Sequence, residues 1–465
     1  MTWQPVAGSF RDPSGFLFRR DGTLYRQVNR RYHEDYAAVV ASGLYDELAD
    51  KGLLVAHAEA ELRLAATADA VAVLRPECLG FISYPYEWSF SQLRDAALLT
   101  LDVQCRALDR GLVLRDASAY NVQFHQGRPI FIDTLSFGRY REGEPWQAYR
   151  QFCQHFLAPL ALMSKRDARC GLLLRQFIDG IPLDLASALL PWRTRLRLGL
   201  LMHLHVHARA QRRFADTSAG AASARARPLS RKALDTLVES LRTTVNALQW
   251  TPSGTEWADY EQRHNYTARA VASKAATLRE FLAQLRPRRV WDVGANTGAY
   301  ARVARETAES VIAFDVDPAA VERNYRRVRA DGERGILPLL LDFTNPSPAH
   351  GWGHTERLSL EERGPADAVL ALALVHHLAI GNNVPLPRVA EYFARLGRAL
   401  IVEFVPKTDP QVQRLLRHRP DIFPEYTPAG FEAAFGPRFD TLASRPVDET
   451  ERVLYLMRRK PHEAC

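Results

Sequence analysis

Arg288-Arg289-Val290-Trp291-Asp292-Val293-Gly294-Ala295-Asn296-Thr297-Gly298-Ala299-Tyr300 reads as a buried strand, a glycine turn and the opening of a helix. Gly294 and Gly298 remove side chains where the backbone must turn sharply and where a ligand can lie against it. Asp292 closes the strand and points a carboxylate into the same turn. The spacing is Asp-x-Gly-x-x-x-Gly, not the Gly-x-Gly-x-x-Gly that seats a dinucleotide pyrophosphate on a helix N-terminus. An acid beside the turn suits a ligand with a positive charge better than a phosphate.

Four more apolar runs follow, each closed by a polar group. Residues 310–315 end in Asp315, where a doubly wound sheet places an acid for ribose hydroxyls. Residues 335–343 carry Asp342 and Phe343, and residues 366–374 open onto Val375-His376-His377-Leu378. Residues 398–402 end at Glu403. Strands closed in this way put their polar groups along one sheet edge, where ligands bind in open α/β sheets.

These residues resemble the class I S-adenosylmethionine (SAM) dependent methyltransferases. The resemblance implies an α/β domain over 286–465 with a Rossmann-like, seven-stranded doubly wound sheet and SAM as cofactor. It assigns the donor to Asp292, Gly294, Asn296, Gly298, Asp315, Asp342 and Phe343. Gly294 and Gly298 would admit the methionine part, and Asp292 would favour the cationic end. Asp315 and Asp342 would fix the nucleoside; in the family, the residue matching Asp342 bonds the adenine amino group and a neighbour such as Phe343 flanks the ring. Methyl transfer is an in-line displacement that depends mostly on positioning. His376, His377 and Glu403 are the catalytic candidates. An imidazole near its ordinary pKa of ~6.5 would serve as base for an oxygen acceptor. One of the two histidines is expected to be structural, and the sequence leaves open which. Asn-Pro-Pro-Tyr and Pro-Cys are missing after the fourth strand, which shifts weight towards O-methylation of a small molecule or a glycan.

Composition sets the bounds. A chain of 465 residues with 47% hydrophobic and 25% charged residues is that of a globular protein with two or three domains. The net charge of +8 could suggest nucleic acid. Nearly all of it is arginine, however, with lysine only at 51, 165, 232, 274, 407 and 460, a bias that fits GC-rich coding. No aromatic-basic run stands out, so nucleic acid is not the expected partner. Cysteines 78, 105, 153, 170 and 465 form no Cys-x-x-Cys, which argues against a zinc site or disulfide scaffold and fits a reducing cytoplasm. No apolar run reaches membrane-spanning length.

The first half holds a second pattern. Leu114-Arg115-Asp116-Ala117-Ser118-Ala119-Tyr120-Asn121 precedes a turn, and the strand Pro129-Ile130-Phe131-Ile132-Asp133 follows it. Asp-x-x-x-x-Asn followed by an apolar strand ending in Asp is the spacing of a kinase catalytic loop and its metal aspartate. This region resembles the kinase-like and aminoglycoside phosphotransferase group, which implies an α+β kinase-like domain over 1–216 and Mg-ATP as ligand. Asp116 would match the catalytic aspartate, and Asn121 and Asp133 the magnesium ligands. Several features depart from that group. Leu114 stands where the loop histidine would be, Asp133-Thr134-Leu135 replaces Asp-Phe-Gly, and no strand lysine is present, although Arg26 could substitute in charge. The bland reading is a degenerate domain in which Asp116 and Asn121 brace a loop. His203, His205 and His207 read as packed or solvated rather than metal-binding, since only His203 and His207 share a helix face.

A small, polar, proline-ended stretch places the linker at 217–230, and 231–285 reads as a helical connector in which Tyr260 and Tyr266 are site candidates. The pairing resembles bacterial enzymes that phosphorylate and methylate polysaccharide ends, and also nodulation-associated methyltransferases acting on oligosaccharide signals. Two functions of different class follow. One is a SAM-dependent methyltransferase whose kinase-like half binds or phosphorylates the acceptor. The other is a non-catalytic SAM-binding scaffold with a pseudokinase half.

Overall fold

Asp21 and Gly22 take φ of 49° and 79°, the left-handed pair that closes a tight hairpin. They join β2 (Gly15–Arg20) to β3 (Thr23–Asn29) within an antiparallel sheet of order β1-β2-β3-β5-β4. In that sheet β1 is Trp3–Pro5, β4 His57–Ala60 and β5 Ala70–Pro76. The computed structural model describes residues 3–210, 229–252, 267–417 and 419–461. They divide into two units, one of 1–251 with Gly351–Arg357, the other of 252–350 with 358–465.

In the first unit the helix Phe90–Asp109 starts on a capping box of Ser89 and Gln92 and buries Leu93, Ala97, Leu101 and Leu108. Two small antiparallel pairs follow it. One joins β6 (Leu112–Leu114) to β9 (Phe137–Arg139), the other β7 (Val122–His125) to β8 (Arg128–Phe131). Residues 81–84 join no sheet among the described residues; the Gln123 side-chain amide accepts from the Ser83 N–H and donates to the Ser83 carbonyl, each at 2.9 Å. Gly351–Arg357 also belong to this unit. There Glu356 accepts from Arg11 Nη2 at 2.7 Å, and the Arg357 guanidinium stands 4.1 Å over the Tyr120 ring.

The second unit is a seven-stranded sheet of order β12-β11-β10-β13-β14-β16-β15. Its strands are β10 (Arg289–Val293), β11 (Ser310–Asp315), β12 (Ile336–Leu340), β13 (Ala366–Ala371), β14 (Gly397–Phe404), β15 (Phe439–Pro446) and β16 (Val453–Arg459). β10 to β14 run parallel, while β16 is antiparallel to β14 and β15 to β16. This is the doubly wound α/β sheet that the apolar runs predict. The helices Ala268–Leu285, Ala299–Arg305, Pro318–Ala330 and Leu386–Leu396 accompany it.

The division at 251/252 differs from the boundaries read in the sequence. Most of 217–230 lies outside the described residues, as do Tyr260 and Tyr266. Helix Arg231–Asn246 packs on Phe90–Asp109 in the first unit, and Ala268–Leu285 goes with the sheet of the second. No described helix is long and apolar enough to cross a membrane.

Candidate functional site

Alternation along the strands decides which side chains share a face. Val290, Val311, Ala313, Leu370, Ile401, Leu454 and Leu456 build one core with Leu278 and Phe281 of the helix Ala268–Leu285. The next side chains in those rows are Asp292, Asp315, Glu403 and Arg452. Four charged groups thus stand at the carboxyl end of the parallel strands, on the face that this helix covers.

The glycine turn sits beside them. Gly294, Asn296 and Gly298 all have positive φ, of 76°, 49° and 82°. A Cβ on Gly298 would lie 2.5 Å from Asn324 Nδ2, so any side chain there would have to displace Asn324 and Arg302. The Asn296 N–H donates to Asp315 Oδ2 at 2.7 Å, and the Asp317 N–H to Oδ1 at 2.9 Å. Arg302 braces the turn from behind, donating to the carbonyls of Thr297 (2.9 Å) and Gly298 (3.0 Å).

Asp292 is 2% exposed, and its Oδ2 has no hydrogen-bond partner among the described residues. Burial pushes this carboxyl up to about 7; Lys274 opposes the shift and Asp315 adds to it. Burial likewise pushes Asp315 up to about 6 despite backbone donors at Asp317, Asn296 and Val316. A buried carboxylate oxygen left without a donor is costly unless a ligand supplies one.

Glu403 is fully buried and committed. Lys274 Nζ stands 2.6 Å from its Oε2, and Arg452 Nη1 stands 3.6 Å from Oε1. Arg452 also pairs with Asp409 at 2.6 Å. Glu403 therefore anchors a charge network and has no oxygen open for proton abstraction. Lys274, Arg302, Arg452 and Asp409 were not legible as site residues.

His376 and His377 lie side by side, ring centroids 4.1 Å apart. His376 is 1% exposed, and neither ring nitrogen has a hydrogen-bond partner among the described residues. Burial holds it well below the usual imidazole range, with His377, Arg452 and Lys274 adding to the shift. Burial and then Arg452 bring His377 down to about 4. The near-neutral base read from the sequence is thus replaced by two imidazoles that stay uncharged but weakly basic.

Asp342 stands at the end of the neighbouring β12, exposed, its Oδ1 accepting from the Thr344 N–H (2.8 Å) and hydroxyl (2.6 Å). Phe343 leans among Phe314, Tyr392 and Phe393, with ring centroids 6.2 to 6.5 Å away.

In the first unit Asp133 is enclosed. Its Oδ1 pairs with Arg26 and accepts from the Leu135 N–H, and its Oδ2 accepts from the Ser136 hydroxyl. Burial would raise this carboxyl, but Arg26 and these donors outweigh it and hold it below the ordinary range. The Asn121 amide donates to the Asp116 carbonyl (3.4 Å) and to Ser136 Oγ (3.3 Å). Burial, then Asp133, raises Asp116, which caps the Ser118 N–H at 2.9 Å. So arranged, with both oxygens of Asp133 engaged by protein donors, the set does not fit a magnesium-nucleotide complex. Both ring nitrogens of His203 are taken by Tyr149 and Ser240, and both of His205 by Ser187 and Thr194. These contacts account for their burial.

No family model matches the chain. Over 459 residues it is 38% identical to nodulation protein NoeA of Rhizobium meliloti (strain 1021), spanning 98% of this chain and 96% of that one. The chain belongs to the NoeA family. Among solved structures, the N-methyltransferase NodS of Bradyrhizobium japonicum WM9, in complex with S-adenosyl-L-homocysteine, matches 44% of this chain and 100% of its own at 11% identity and a TM-score of 0.33. WbdD matches 45% of this chain and 43% of its own at 15% identity and a TM-score of 0.30. Both scores are low.

Proposed function

We propose that the second unit binds SAM along the edge of Asp292, the Gly294–Gly298 turn, Asp315 and Asp342, and transfers its methyl group to an oxygen of a small-molecule or glycan acceptor. The observation that carries this reading is the Asp292 Oδ2 atom, buried without a partner beside a turn of three positive-φ residues. A sulfonium donor supplies the electrophilic methyl group when bound. The chain's part is to offer Asp292 to the cationic end, Asp315 to the ribose hydroxyls, and Asp342 with Phe343 to the base. His376 and His377 wall the acceptor side as neutral imidazoles, with Glu403 behind them as a positioning residue.

For the first unit we favour a kinase-like domain that binds the acceptor over one that phosphorylates it, because Asp133 is already engaged by Arg26, Ser136 and a backbone amide. That engagement also supports the pseudokinase half of the scaffold reading. Calorimetry with SAM and with Mg-ATP on wild type, Asp315→Ala and Asp133→Ala separates the cases. SAM affinity lost in Asp315→Ala alone, with no Mg-ATP binding, supports the proposal. Wild type that ignores SAM overturns it. A deletion strain's extracts, searched by mass spectrometry for a compound lighter by one methyl, would name the acceptor and set methyltransferase against scaffold.

A further inference from the structure

Helix Ala268–Leu285 buries Ala270, Lys274, Leu278 and Phe281, a stripe with one cation in it. Lysine is rarely buried unless paired. This one is 2% exposed against a fully buried Glu403 at 2.6 Å, with the Tyr300 ring centroid 4.5 Å from its ammonium. A buried pair is weak evidence for stability, since desolvating two charges offsets much of their attraction. Its place beside the strand ends points to a role in the site.

Asp292 on β10 feels Lys274 from the helix and Asp315 from β11. Lys274 in turn faces Glu403 on β14, Arg452 before β16 and Asp292, and His376 after β13 feels Lys274, Arg452 and His377. Of the groups acting on Asp292, Lys274 is the cation, and it favours the ionised carboxylate against burial and against Asp315. The ammonium is nevertheless tied to Glu403, while Asp292 Oδ2 keeps no partner. A cation tethered in this way acts through its field without occupying the oxygen.

We propose that Lys274 is a positioning residue for the methyl donor: buried at the strand ends and held 2.6 Å from Glu403, it offers its positive field to Asp292 while leaving the buried Oδ2 open for the donor's cationic end. This inference rests on the SAM reading above. The test is calorimetric titration of SAM into wild type, Lys274→Met and the double variant Lys274→Met/Glu403→Met, at pH 7 and pH 9. The double variant removes both charges, so it answers for any instability that an unpaired Glu403 causes in the single one. Both variants are expected to bind about tenfold more weakly than wild type at pH 7, and within about twofold of it at pH 9, where Asp292 ionises unaided. A loss of equal size at both pH values, or none at either, overturns the role of Lys274 while leaving the donor site standing. Failure of wild type to bind SAM at either pH overturns the donor site itself, and the role of Lys274 with it.

Discussion

The Arg302 guanidinium lies between Glu333, which accepts from Nε and Nη2 at 2.8 Å each, and Asn324, whose Oδ1 accepts from Nη1 at 3.0 Å. The same Nη1 reaches the carbonyls of Thr297 and Gly298. One side chain from the helix after the turn thus fixes the turn's shape. Arg302→Met should cost about 1–3 kcal/mol of stability, the range for hydrogen bonds to a charged group, and should weaken SAM binding. Urea unfolding and calorimetry check the two effects. Unchanged affinity in a destabilised variant would confine Arg302 to the fold.

The two turn glycines should respond differently to alanine. Both have positive φ, but a Cβ on Gly294 would meet Leu374 Cδ1 at 3.4 Å, an ordinary contact, whereas one on Gly298 would strike Asn324 at 2.5 Å. Gly294→Ala should lose about 1 kcal/mol from backbone strain, and Gly298→Ala distinctly more. Equal melting temperatures for the two variants would contradict this packing.

Asp292 links stability to pH with a definite sign. Its carboxyl sits at about 7 in the fold against an ordinary 3.8. Between those values the folded state holds a proton that the unfolded chain releases. Stability from this group is therefore present below about pH 4 and is lost as pH rises through 7. Asp292→Asn should melt higher than wild type at pH 8, by an amount of the order of 1–4 kcal/mol, with little difference at pH 4. The same variant should bind SAM poorly. Melting curves across pH settle the first point.

The histidines give a prediction that needs no acceptor. With His377 brought down to about 4 and His376 held well below the usual imidazole range, their ring signals in NMR should stay those of neutral imidazole from pH 8 down to about 5. A midpoint near 6.5 for either ring would restore the near-neutral base read from the sequence.

The sheet was legible because buried parallel strands are nearly continuous apolar runs, and a single acid at the end of each marks its edge. Asp292 and Asp315 fell together for that reason. Glu403 looked the same in the sequence but is claimed by Lys274 and Arg452, which lie 129 and 49 residues away in the chain. Pairings at that distance leave no local pattern. Lys274 left one faint sign: a lysine in the apolar stripe Ala270, Leu278, Phe281, in a chain with only six lysines. Arg26 reads in the sequence as a charge substitute, and the fold closes it on Asp133, 107 residues away. His376 and His377 sit at the expected strand end, but their burial, which decides their chemistry, is a property of everything packed around them.

Gly351–Arg357 lie between β12 and β13 in sequence but belong with residues 1–251. A gene truncated after Thr251 would therefore encode a first half without Glu356 and Arg357. Arg11 would lose its carboxylate and Tyr120 the guanidinium over its ring. Anyone dissecting this protein into separately expressed pieces should supply that heptapeptide in trans, or expect the amino-terminal piece to misbehave for want of it.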